Sequence, residues 1–376
     1  MLDQIDSFLR KLLAHGLVSN PAEAQLYALD DEIYTNRDTV PDEVISLFDA
    51  LNISSLIIAR PEPLRWAIIS ELLRSQADII SPSDSESLTF IHDIPVVRSF
   101  QAGRVAWALS RRKGCIVEGL GIITTGAVSL EQAFIAFSSI CFATFVKYFS
   151  DVLNGLTGHA PRPSAEEIAA CRGYLSSISL KAEGINLSPQ TPMGEMGIIS
   201  AMDAAGKAMV SAGLVDSFFG NISLKEGLLI YISQTGSSLD ELQGRIDCTT
   251  MDGSSTCEIT SSSELCAHVR IYELTGTRVI IHGHPRFSVI MSMMGGPLDF
   301  DQKRHVGGVP VVAGEVGAGA RGLMHTLPEA MMAGHAAIVA GHGTFACSDT
   351  SFREAFERLA AVEQMCLGMY RTALKA

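Results

Sequence analysis

The chain has 376 residues, enough for about two domains, each with a core of its own. A net charge of −13 and the lack of any Lys/Arg-rich run argue against nucleic acid or an anionic membrane as partner, while still allowing a local basic pocket for a small anion. The eight cysteines are scattered without a Cys-x-x-Cys pair, which fits reduced thiols in a cytoplasmic protein.

In chain order, the opening MLDQIDSFLRKLL carries early acids and no small-residue cleavage site, so it does not read as a signal peptide. Ser54 to Ile68 reads as an apolar strand leading into a helix, and Ile94 to Val97 (IPVV) as a second strand. Lys113 to Phe134 reads as a strand, a tight Gly-Leu-Gly turn and a helix. The apolar stretch from Ala133 to Leu153 is expected to pack inside an assembly rather than in lipid. From Gly155 to Met193 the composition turns rich in Pro, Gly and Ser around one helix-like segment, Glu166 to Leu180. That is a linker signature, and it divides the chain into 1–155, 156–192 and 193–376.

Beyond the linker, Met196 to Ala212 has helical periodicity and ends at Gly213, a suitable C-cap. Strands are expected at Gly227 to Ile232, Arg245 to Thr249 and Cys257 to Ile259. A helix capped by Ser262 or Ser263 then runs to about Leu274. The remaining order is strand Val279 to His282, helix Pro285 to Met293, strand Val309 to Val312, helix Gly322 to Ala333, strand Ala336 to Gly341 and a long helix from Thr350. Such alternation defines an α/β domain.

Four blocks recur in the same order in both halves, which points to a tandem duplication. Gly16-Leu17-Val18 answers Gly213-Leu214-Val215, and Ser54 to Ile68 falls over Thr277 to Met291. IPVV answers VPVV, and Gly119-Leu120-Gly121 falls over Gly341-His342-Gly343. In this comparison His282, His284 and His342 face Ala59, Pro61 and Leu120, so the imidazoles exist only in the second copy.

His282 and His284 stand two apart at a strand end, where a period of two puts both rings on one face. His342 sits between two glycines that permit a sharp turn. Three imidazoles leave an open position on a divalent ion, as a catalytic site requires. Glu264, placed near a helix start, is either a capping acid or a general base whose pKa burial would raise. Asn221, Thr235, Gly236, Ser262 and Ser263 lie in turns and at a helix start suited to an anion.

The series GNIS, TG, SSE, HGH and GHG before a long final helix resembles the class II aldolase/adducin family, from about Met196 onward. The resemblance implies a three-layer α/β/α sandwich, here present twice with a degenerate first copy. It implies one divalent metal on His282, His284 and His342, zinc first, with Fe2+, Mn2+ or Co2+ as alternatives. Glu264 would be the acid–base residue, and Asn221, Thr235, Gly236, Ser262 and Ser263 would hold the substrate phosphate. The implied activity is that of a lyase on a phosphorylated sugar or sugar acid, through a metal-bound enediolate. A three-histidine Fe(II) oxygenase and a non-catalytic adducin-like interaction module are the alternatives.

Family aldolases take a proton-donating tyrosine from the loop after the His-x-His strand. The corresponding Gly295 to Gly308 has none, so either Lys303 or His305 substitutes or the donor is missing. The family's four-fold ring implies a homo-oligomer here, with two tandem chains forming a pseudo-four-fold ring.

Overall fold

The computed structural model describes residues 1–74, 77–216, 218–252, 254 and 260–375. The expected strand Cys257 to Ile259 lies outside them. The chain divides into two compact units, Met1–Phe149 and Ser150–Ala376.

The first unit runs α1 (Leu2–Ala14), β1 (Ala24–Leu29), β2 (Ile33–Thr35), α2 (Asp42–Ala50), β3 (Ser55–Ala59), α3 (Pro63–Leu73), β4 (Ile79–Ile80), α4 (Ser85–Phe90), β5 (Ile94–Val97), α5 (Ala102–Leu109), β6 (Gly114–Val117), β7 (Gly121–Gly126) and α6 (Leu130–Leu156), the last of which crosses the division. Its seven-stranded sheet has the order β2-β1-β3-β7-β6-β5-β4. α6 is long and apolar enough to cross a membrane by length and composition, yet 89% of its most apolar window is buried within the protein.

The second unit begins with α7 (Ala165–Ser176), started by a capping box in which Ser164 and Glu167 satisfy each other's backbone N–H groups. It continues with α8 (Glu195–Ala212), β8 (Asn221–Glu226), β9 (Leu229–Ser233), β10 (Ile246–Thr250), α9 (Leu265–Thr275), β11 (Val279–Gly283), α10 (Arg286–Ser292), β12 (Arg304–Val306), β13 (Val309–Val312), α11 (Leu327–Gly334), β14 (Ala336–Val339), β15 (Gly343–Ser348) and α12 (Phe352–Ala373). The eight-stranded sheet has the order β10-β9-β8-β11-β15-β14-β13-β12. Val279 and Ile281 turn to one face and pack with α8 and α12, while Ile280 turns to the other and packs with α9 and α11. β11 is therefore buried on both sides, which is why it reads as an unbroken apolar run.

Several strands depart from the sequence reading, among them β8, which begins at Asn221 where a turn is expected. The Gly-His-Gly turn leads into β15, an antiparallel partner of β14, before the last helix starts, and the Gly-Leu-Gly turn leads into β7 in the same way. All six residues of β15 are buried, so no polar alternation marks them as a strand.

β10 apart, the two sheets share strand order and pairing sense, including a single parallel pair each, β5 with β6 and β13 with β14. Their registers correct the sequence comparison by one residue. Ile116 pairs with Ile122 as Ile338 pairs with Thr344. One strand further, Ile58 lies opposite Ile123 as His282 lies opposite Phe345. The places of His282 and His284 thus correspond to Ile58 and Arg60, not to Ala59 and Pro61. The faces agree, because Ile58 joins the core beneath α2 and α5. Arg60 donates to the carbonyls of Gly119 and Leu120.

Candidate metal centre

His282 closes the apolar run of β11, His284 follows one residue beyond the strand, and His342 occupies the turn between β14 and β15. All three are buried, at 1%, 2% and 7% exposure. The Nε2 atom of His282 lies 3.1 Å from that of His284 and 3.2 Å from that of His342. Ligand atoms around a tetrahedral zinc, with Zn–N near 2.0–2.1 Å, stand about 3.3 Å apart. The spacing therefore matches a shared cation. His282 Nδ1 lies 3.2 Å from the carbonyl oxygen of Thr344, an acceptor that makes Nδ1 the protonated nitrogen and leaves the Nε2 lone pair facing inward. Burial pushes the pKa of His282 down to about 4, so the ring is neutral near neutral pH, as a ligand must be.

Glycine makes this approach possible. A Cβ on Gly343 would stand 2.4 Å from the Gly283 carbonyl oxygen, 2.7 Å from His282 Cε1 and 3.0 Å from His284 Cδ2. Gly220, with φ +83°, lets Asn221 begin β8 directly opposite His282, where a Cβ would meet the His282 carbonyl oxygen at 2.6 Å.

Glu264 is the N-cap of α9 rather than a member of its first turn, and its side chain does not cap the helix. It turns inward instead. Oε2 accepts from Asn221 Nδ2 at 2.5 Å and lies 3.5 Å from His282 Nε2, and Oε1 lies 3.3 Å from His342 Nε2. Burial pushes its pKa up, but the imidazoles of His282 and His342 and the Asn221 amide outweigh that and hold it well below the usual carboxylate range. The upward shift expected from burial alone is reversed.

The other polar residues separate by burial. Asn221 and Ser262 are buried beside Glu264, whose backbone N–H reaches Ser262 Oγ at 3.3 Å. Thr235, Gly236 and Ser263 form an exposed rim, where the Thr235 hydroxyl donates to the Ser261 carbonyl at 2.9 Å. Lys303 precedes the edge strand β12 and His305 lies within it; both are exposed, and Lys303 pairs with Glu329 at 3.7 Å. Four strand steps separate β12 from β11, about 19 Å at ordinary inter-strand spacing. Within one chain they do not reach the histidines.

Sequence reading missed the support around this site. Glu264, His268 and Tyr272 follow one another at intervals of four on α9, a spacing that puts them on one helix face. Ser223 Oγ lies 2.7 Å from His268 Nδ1 and 2.6 Å from Tyr272 Oη, fully buried beneath the centre. Phe345 stacks on His282 at 4.0 Å and meets His268 edge-on. From α12, Glu363 accepts the N–H groups of Phe287 and Ser288 at 2.9 and 2.8 Å, which fixes the start of α10 just after His284. Ser292 at the other end of α10 accepts from Gly341 N, tying the helix to the His342 turn.

Residues 200–370 match the family described as class II aldolase and adducin N-terminal domain. Over those residues the second unit resembles the class II aldolase/adducin family. Similar solved structures include L-fuculose-1-phosphate aldolase from Thermus thermophilus, 23% identical over 47% of this chain and 93% of that one, with a TM-score of 0.39. YgbL from Klebsiella pneumoniae, a putative aldolase/epimerase/decarboxylase, is 24% identical over 48% and 91%, with a TM-score of 0.42. A sugar-phosphate aldolase from Thermotoga maritima is 16% identical over 48% and 96%, with a TM-score of 0.37. Comparison with curated proteins found no match.

Proposed function

We propose that the second unit is a divalent-metal-dependent lyase acting on a phosphorylated sugar or sugar acid. The observation that carries this reading is the convergence of three imidazoles, with His282 Nε2 3.1 Å from His284 Nε2 and 3.2 Å from His342 Nε2, and with the Glu264 carboxylate against two of them. An ion held by the three histidines, zinc first among Zn2+, Fe2+, Mn2+ and Co2+, would supply Lewis-acid polarisation of a substrate carbonyl. Glu264 carries the proton to or from the carbon beside that carbonyl: in aldol cleavage or decarboxylation the C–C bond to that carbon breaks, an aldehyde or CO2 leaves, and the electron pair left behind as an enediolate would take up the proton that Glu264 returns. Asn221 Nδ2 holds the carboxylate in place for that transfer. Ser262, with the rim of Thr235, Gly236 and Ser263, offers the backbone and hydroxyl donors at which a phosphate would sit.

The reading extends to the first unit as a degenerate copy without metal ligands, with divisions at 1–155, 156–192 and 193–376. The common strand order of the two sheets supports it. Two such chains would form a pseudo-four-fold ring, with Lys303 or His305 delivered to a neighbour's site as proton donor. Light scattering should then give an even number of chains per particle.

The decisive experiment is elemental analysis of purified wild type beside His284→Ala, followed by a screen of phosphorylated sugars and sugar acids. About one equivalent of metal, lost in a folded variant together with activity, supports the proposal. Absence of stoichiometric metal after reconstitution sinks it, and iron with an oxygen requirement replaces it with an oxygenase.

A further inference from the structure

The first unit holds a cleft of about 590 Å³ between β4, β5 and α5, lined among others by Arg98, Arg104, Trp107, Arg111 and Arg112. Within a chain of net charge −13, four arginines against two lining acids, Asp78 and Asp93, make it locally basic. Two of the four are already committed. Arg112 holds Asp93 through Nε at 2.8 Å, and Arg98 donates to the carbonyls of Leu73 and Ala77 beside Glu118. Arg104 and Arg111 have no carboxylate partner among the described residues. Arg111 lies just past the C-terminal end of α5, where the helix dipole favours a cation. Arg104 is in the first turn, where the same dipole opposes one and no acidic residue compensates. Between them on the same helix face stands Trp107, one of two tryptophans in the chain and 59% exposed, with the Arg111 guanidinium 4.6 Å from its ring centroid.

An exposed indole flanked by two uncompensated guanidiniums presents a stacking surface and anion donors within one cavity. We propose that this cleft binds a nucleotide, with the heteroaromatic ring against Trp107 and the phosphates on Arg104 and Arg111. The site lies wholly within the first unit and does not depend on metal chemistry in the second.

Trp66→Phe leaves Trp107 as the sole tryptophan, so its fluorescence reports directly on the cleft. The full chain carrying this change is titrated separately with ATP, pyrophosphate and adenosine, and calorimetry on the wild type with the same probes covers the case in which the variant misfolds. ATP should quench saturably, with Kd raised at least roughly tenfold in Arg104→Ala and again in Arg111→Ala, the usual consequence of losing one charge-assisted contact. Metal content of the second unit should not change. No saturable ATP binding at millimolar concentration overturns the proposal. Pyrophosphate binding as tightly as ATP removes the role of the ring, and adenosine binding as tightly as ATP removes that of the arginines; either result also overturns it.

Discussion

Replacing Gly343 by alanine tests whether the metal centre depends on close backbone approach and not only on its ligands. The new Cβ would meet the Gly283 carbonyl oxygen 1.0 Å inside, and His282 Cε1 0.7 Å inside, the 3.4 Å at which ordinary contact begins. Neither neighbour is a flexible chain end, since the first is backbone of β11 and the second belongs to a ligand ring stacked on Phe345. Overpacking of this kind costs about 1–3 kcal/mol. Relief by movement displaces His282 or His284 by several tenths of an ångström, beyond the tolerance of about 0.2 Å on metal–ligand distances. Metal affinity should therefore fall about 10–100-fold, as it does when the groups that orient ligands are lost. Affinity is read by competition with a chromophoric chelator and stability by thermal unfolding of the apo protein. Gly368→Ala on α12, where the added Cβ meets nothing, is the matched control and should gain roughly 0.5–1 kcal/mol. If Gly343→Ala binds metal like wild type and unfolds like the control, the steric reasoning is wrong.

Glu264→Gln should keep the metal and lose about 10²–10⁴ in turnover once a substrate is in hand, and unchanged turnover would remove Glu264 from the proton transfer. Chelation of the metal-loaded protein should destabilise it by about 4 kcal/mol if the ion is present at a thousand times its Kd, and an unchanged Tm would mean that the folded state does not bind the ion preferentially. Burial raises the Glu363 carboxyl from 4.5 to about 7. A raised folded pKa contributes stability that is complete below pH 4.5 and lost as pH rises through about 7, a decline on the order of 3 kcal/mol. Glu363→Gln should abolish that slope in the apo protein, and identical pH–stability curves for the two would contradict the assignment.

The clustering of the three histidines was legible because its signals are local. His282 and His284 share a strand-end periodicity, and His342 announces itself between two glycines. Asn221 and Glu264 were nameable from the family pattern, but their hydrogen bond joins residues 43 apart, and the downward shift of Glu264 depends on two rings contributed by other elements. β15 escaped because a strand buried on both faces has no alternation to read. The one-residue error at Ile58 and Arg60 has a similar origin, since in an apolar run such as LIIA the sequence offers little to choose one register over its neighbour, and only the cross-strand partners decide. His268 and Tyr272 carry a helical spacing from Glu264 that sequence could have offered, yet their common partner, Ser223, comes from β8 on another element.

The 60 residues between His282 and His342 also set a timetable. During synthesis the first two imidazoles leave the ribosome without the third, and Gly343, which lets their rings approach, follows only with β15. At common elongation rates the interval is roughly 3 to 12 s. Through that interval the nascent chain offers a bare pair of imidazoles, open to whichever imidazole-binding divalent cation is abundant. If the three histidines hold the proposed ion, its selection is deferred until the hairpin closes, and cells growing under metal excess should accumulate mismetallated protein when translation through this segment is slowed.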